Sequence, residues 1–189
     1  MKRVILASGS PRRRELLAMT GVEFEVMVSD KEEVVTDTDP VLVTKDLSRQ
    51  KAEAVAEEIE EGIVIGSDTV VSVDGKILGK PSDREDAVNM IRTLQGRSHM
   101  VYTGVTIINK TKETMDTETF AEGTKVNVAK MTEEEIQRYC DTSEPYDKAG
   151  SYAVQGIFAK HIEGIKGDYF NVVGLPVHQV YEILKKIYQ

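Results

Sequence analysis

The chain has 189 residues, 40% of them hydrophobic and 30% charged, a balance that excludes a disordered or collagen-like protein and suits a globular domain of ordinary size. A formal net charge of −8 argues against a grip on a long nucleic-acid backbone; a single cysteine, Cys140, excludes an internal disulfide; and three scattered histidines offer no zinc site. No purely apolar run exceeds four residues, so none reaches across a bilayer, and the stretch before Arg12-Arg13-Arg14 is too short for a secretory signal. The expectation is a cytoplasmic protein.

Strand-like and helix-like stretches alternate with short connections, the pattern of an α/β sheet protein. Residues 3–7 read as a first strand. Ser10-Pro11 opens a helix that Gly21 closes, Ser being a good N-cap and Pro suiting the first helical position. Residues 24–28 resemble a second strand, and Asp39-Pro40 starts a long helix running to Gly62. Residues 63–73 are rich in β-branched side chains, and Asp74-Gly75 is a hairpin turn into residues 76–78.

A capping box at Ser82–Glu85 predicts a helix to Leu94, closed by Gly96. Residues 98–109 and 113–128 read as two long antiparallel strands. Thr132–Glu135 is a second capping box for a helix to Asp141, and residues 176–188 close the chain as an amphipathic helix. The glycines at 150, 156, 164, 167 and 174 suit either ordinary turns or backbone packed closely against a ligand or strand. There is no linker, so the expectation is one domain over residues 1–189.

Five features carry chemistry. In Ser8-Gly9-Ser10-Pro11-Arg12-Arg13, arginines crowd a helix N-terminus, where cations oppose the dipole. This fits a bound polyanion, the alternative being a solvated basic patch. Lys51 interrupts an inward stripe of Leu47, Ala54, Val55 and Ile59; it either snorkels or reaches a phosphate in a cleft. On that stripe a methionine would preserve stability.

Asp68 lies in a run apolar on both sides, Ile63–Val71, where a buried charge needs a cation, a metal or a proton; a bulge that merely exposes it is the other reading. Gly79-Lys80-Pro81 supplies a further lysine but no Walker A loop, and no G-x-G-x-x-G is present. Glu32-Glu33 either joins Asp68 in holding a hard cation or is plain surface charge. Cations, a divalent metal and a carboxylate that activates water are what hydrolysis of a phosphoanhydride needs.

The stretches Ser8–Arg13 with Glu15-Leu16-Leu17, Ser48–Ala52, Gly66–Val71, Gly79–Pro81 and Gly150–Gly156 together resemble the Maf family of nucleotide pyrophosphatases over nearly the whole chain. The resemblance implies a two-lobed mixed α/β domain similar to inosine triphosphate pyrophosphatases, with the active site in the central cleft. It also implies cleavage of a nucleoside triphosphate to monophosphate and pyrophosphate with Mg2+ or Mn2+.

By the same match, Asp68 is the proton acceptor, and Ser8, Ser10, Arg12, Arg13, Lys51 and Lys80 bind phosphates. Glu32 is a metal or water ligand with Asp68, while Arg12, Thr69 and Gln155 are specificity positions resembling the dTTP/UTP-cleaving branch. A carboxamide at 155 can donate to O4 and accept from N3–H of uracil or thymine. The resemblance further implies a homodimer and a link to inhibition of septum formation. The competing reading is a non-enzymatic regulator that binds a nucleotide or nucleic acid.

Overall fold

The structure, a computed structural model, describes residues 2–189. Strands β1 (Val4–Ala7), β2 (Glu25–Val26), β3 (Gly62–Val73), β4 (Lys76–Leu78), β5 (Ser98–Lys110), β6 (Met115–Val128) and β7 (Ile162–Lys166) form one 7-stranded sheet. Their order is β2-β1-β3-β5-β6-β7, with β4 also on β3. β1 runs parallel to β2 and β3, and the remaining pairs are antiparallel, so the sheet is mixed. The helices are α1 (Pro11–Ala18), α2 (Pro40–Glu57), α3 (Arg84–Leu94), α4 (Glu133–Cys140), α5 (Tyr169–Val173) and α6 (Val177–Tyr188).

Two lobes share this sheet. Around the first half of β3, Leu16 and Leu17 of α1 and Val180, Ile183 and Leu184 of α6 cover one face, while Ala52, Val55 and Ala56 of α2 cover the other. Around its second half, α3 and α4 pack with Tyr152 and Phe158 over Val71, Val101 and Val126. Among the described residues no helix is long and apolar enough to cross a membrane.

The site follows from how β3 is paired. One edge is bonded to β5 along residues 62–72. On the other edge β1 ends at Ala7, opposite Gly66, and β4 reaches no further than Leu78, opposite Val71. Residues 67–70 therefore have no strand beside them there, a gap of about 13 Å at the usual rise per residue. Asp68 and Thr69 are the two residues of β3 that are not fully buried. The gap between the lobes opens onto them.

Two glycines seat α2 across this floor. A Cβ on Gly66 would overlap the Ser48 carbonyl, and one on Gly104 would overlap that of Thr44. Helix backbone thus lies directly on strand backbone. Gly66, Asp68 and Val70 alternate onto the same face of β3, so the register that seats α2 over Gly66 also brings Lys51 over Asp68.

Some boundaries differ from the sequence reading. α2 stops at Glu57, because Gly62 does not cap it: Gly62 opens β3 at φ 149°, with the Arg3 carbonyl against the place of a Cβ. β2 shrinks to two residues, since only Ile5 and Leu6 of β1 pair with it. The cap of α3 is Asp83, which accepts from Asp86 N–H, while the Asp86 carboxylate receives the Ser82 N–H. The Thr132–Glu135 capping box is present as expected. β7 and α5, both short and flanked by glycine, were not anticipated.

Gly66→Ala should cost at least about 2 kcal/mol, because neither backbone can retreat. Gly79→Ala, which meets nothing within 4 Å, should stay within about 0.5 kcal/mol of the parent. Urea unfolding of the two variants distinguishes them.

Candidate active site

The gap forms a cleft of about 310 Å³. One wall is the start of α1, with Ser10, Arg12 and Arg13; the other carries Lys80, Asp147, Lys148 and residues 152–154; the back is Val172, Val173 and Gly174. Five cations (Arg12, Arg13, Lys51, Lys80, Lys148) face two carboxylates, Asp68 and Asp147, so an anionic chain carries a locally cationic cleft. α1 has no acidic residue in its first turn to compete for its N-terminal N–H groups.

Arg13 holds the cleft together. Its Nε donates to the Gly174 carbonyl at 3.0 Å, Nη1 to Ser8 Oγ at 3.2 Å and Nη2 to Thr69 Oγ1 at 3.1 Å. One guanidinium thus joins the β1–α1 turn, β3 and the α5–α6 turn. Burial pushes its pKa down and the nearby Asp68 charge pushes it up; a guanidinium stays charged throughout, with two N–H bonds left for an anion. Ser10 caps α1 by accepting from Arg13 N–H, and Ser8 Oγ also accepts from Ser10 N–H at 3.3 Å.

Asp68 finds the partner that its burial demands. Lys51 Nζ pairs with Asp68 Oδ1 and, at 3.1 Å, with Glu33 Oε2. Lys51 neither snorkels nor stands free: it neutralises two carboxylates at once. The expectation that Met would be tolerated there is therefore reversed, because both carboxylates would lose their counterion.

Lys51 also separates two clefts. The neighbouring one, about 250 Å³, is lined by Ser8, Gly9, Ser29, Glu32, Glu33 and Gln50 among others. Glu32 and Glu33 both line this neighbouring cleft rather than the cationic one, and Glu33 reaches Lys51 from it. Ser10, Arg12, Arg13, Lys51, Lys80, Asp68 and Thr69 are brought together, whereas Gln155 follows the wall residues 152–154 with its side chain exposed and does not line the cleft.

Lys148 and Asp147 escaped sequence reasoning, although the Asp-Lys pair directly before Ala149-Gly150 was a signal. Their ion pair lowers the Asp147 pKa. Gly150, at φ 67°, packs onto Val71 so closely that a Cβ would press on it. This brings the 147–154 segment down onto β3.

No group of three or more His, Cys, Asp or Glu that could hold a metal occurs among the described residues. Asp68 and Glu33 do converge on one cation, and two hard oxygen donors completed by substrate phosphates are a usual way to bind Mg2+. Two such donors, already bridged by Lys51, do not make a metal site of the protein alone, so a divalent ion there would take its remaining ligands from substrate phosphates.

A mixed sheet opened along one edge, with a cationic cleft set over a paired carboxylate, defines an α/β phosphate-binding protein. The structure of the Staphylococcus aureus Ham1 protein shares this fold, with a TM-score of 0.55 over 98% of this chain and 99% of that one, at 13% identity. The family model described as Maf-like protein matches residues 3–187, and the chain belongs to that family. Curated relatives include the dTTP/UTP pyrophosphatase of Thermoanaerobacter sp. (strain X514), 51% identical over 97% of this chain and 96% of that protein. Those of Agathobacter rectalis and Bacillus cytotoxicus are 49% and 50% identical, covering 98% or more of this chain and 98% and 96% of those proteins.

The Tyr152 wall rests on His99 of β5, whose Nε2 lies 2.6 Å from the Tyr152 hydroxyl. Burial and the Arg97 charge push the His99 pKa from 6.5 down to about 4. Between those values the unfolded chain binds a proton that the native chain refuses, so stability should fall as pH drops from 6.5 toward 4. His99 should account for about 2–3 kcal/mol of that loss by pH 4.5. His161, also depressed by burial, adds a loss of the same sign. His99→Gln should flatten the dependence on pH of the urea midpoint; an unchanged slope would remove His99 as its source.

Proposed function

We propose that the chain is a nucleoside triphosphate pyrophosphatase that hydrolyses dTTP and UTP to the monophosphate and pyrophosphate. The observation that carries this reading is one carboxylate, Asp68, held by Lys51 at the floor of a cleft lined with cations. A site for binding alone has no use for that carboxylate, which would only repel phosphate. The regulator reading is therefore disfavoured. The dTTP/UTP pyrophosphatases at about half identity over the whole chain support the choice of substrate.

The roles follow from position. Arg12 and Arg13, with the N-terminal N–H groups of α1, take phosphate oxygens, and Lys80 and Lys148 do so from the opposite wall. Lys51 fixes Asp68 through Oδ1 and leaves Oδ2 to accept a proton from water. The water oxygen bonds to the α-phosphorus, the α–β bridging oxygen leaves with pyrophosphate, and the wall cations neutralise the charge on it. A divalent cation held by Asp68, Glu33 and phosphate oxygens would add further neutralisation of that charge. The apolar end of the cleft, with Val71, Val101, Tyr152 and Val172, receives the base.

Asp68→Asn should fold and lose pyrophosphate release from UTP with Mg2+ or Mn2+. Retention of more than a tenth of the parental kcat, a barrier change under about 1.4 kcal/mol, would contradict the assignment. Lys51→Met should lose activity and about 1–3 kcal/mol of stability, part of which Lys51→Met/Asp68→Asn should recover.

A further inference from the structure

We propose that Thr103, a fully buried residue of β5 that does not line the cleft, is a positioning residue that fixes which way the Thr69 hydroxyl points, and that it thereby selects bases carrying an imide N–H over those presenting a bare ring nitrogen. The inference rests on the pyrophosphatase reading and concerns its substrate.

Hydroxyl protons can be assigned here by elimination. Thr103 Oγ1 lies 2.9 Å from the backbone carbonyl of Asn171 and 2.9 Å from Thr69 Oγ1. The carbonyl can only accept. Asn171 is fully buried, and the two N–H groups that follow its helix, on Gly174 and Leu175, both go to the Phe170 carbonyl instead. The Asn171 carbonyl therefore depends on the Thr103 proton, and withholding it would leave a buried acceptor unpaired. The Asn171 side chain braces the same turn by donating to Val101 O at 3.1 Å and to Thr124 Oγ1 at 2.9 Å.

With its proton given to Asn171, Thr103 can only accept from Thr69. Thr69 has one proton, and this bond uses it. Arg13 Nη2 donates to a lone pair of Thr69 at 3.1 Å. A hydroxyl has one donor and two acceptor positions, so Thr69 presents to the cleft a single lone pair and no proton. The chain of bonds from Arg13 through Thr69 and Thr103 to Asn171 has one direction only.

Thr69 adjoins the apolar part of the cleft lining, and that lone pair is what it offers a base bound there. Thr69 and Val71 alternate onto the same face of β3, and their β5 partners are Thr103 and Val101. Val71 and Val101 line the apolar slot. Phosphate oxygens are acceptors and gain nothing from a lone pair, whereas the N3–H of uracil or thymine is a donor. Cytosine offers an unprotonated N3, which would meet the lone pair as acceptor against acceptor. A site built for one polarity rejects the other strongly.

Thr103→Val keeps the shape but removes the acceptor for Thr69, whose proton is then free to turn into the cleft. The kcat/KM ratio of UTP to CTP should fall at least fivefold, on the order expected for one hydrogen bond. Thr103→Ser, which restores the hydroxyl, should return the ratio to the parental value. Should Thr103→Val fail to fold, Thr69→Val decides: it should lower UTP turnover at least fivefold more than CTP turnover, again collapsing the ratio. A folded Thr103→Val with the parental ratio, or a Thr69→Val that keeps the preference, overturns the proposal. Parental protein that releases no pyrophosphate from UTP or dTTP would instead refute the underlying function.

Discussion

The break in pairing along one edge of β3 is the constraint from which the rest of the site follows. β5 secures that strand along residues 62–72, so its middle need not be held from the other side. β1 and β4 supply only the two ends. A carboxylate and a hydroxyl can then stand in the middle of a strand that is otherwise buried, because the missing neighbour has been replaced by open space. The N-terminus of α1, which follows β1 directly, necessarily points into the same space.

The charges placed there are mutually dependent. Asp68 would be costly at the floor of the cleft without Lys51, and Lys51 would be misplaced in an apolar stripe without Asp68 and Glu33. Gly66 and Gly104 make the pairing reachable by letting α2 lie on bare backbone. Arg13 does the corresponding work at the other wall, where its three bonds tie the β1–α1 turn, β3 and the α5–α6 turn. Arg13 thus ties the cleft together and keeps two N–H groups for an anion.

Much of this could be read from the residues. The alternation of elements, the capping at Ser10, Asp39 and Thr132, and the anomaly of Asp68 inside an apolar run each have a local cause, and each reappears in the fold. Lys51 was marked by its position in the stripe, but not its partner, since Asp68 lies 17 positions further on with no pairing signal in between. Glu32 and Glu33 are adjacent and chemically alike; only tertiary placement shows that Glu33 meets the lysine. Thr103 and Asn171 were invisible for the same reason, because their roles arise from contacts made across the sheet. Gln155 follows the cleft wall with its side chain exposed, and its role at the base rests on the motif match alone.

The most direct test of the central claim is where a nucleotide protects the backbone. Hydrogen exchange of the whole chain, followed by peptide with and without an α,β-imido analogue of dUTP and Mg2+, measures this. Slowed exchange in peptides spanning residues 67–70, 11–14 and 147–154 is the predicted result. Protection confined to residues 28–33 and 50–57, which line the neighbouring cleft, would place the nucleotide elsewhere and contradict the account.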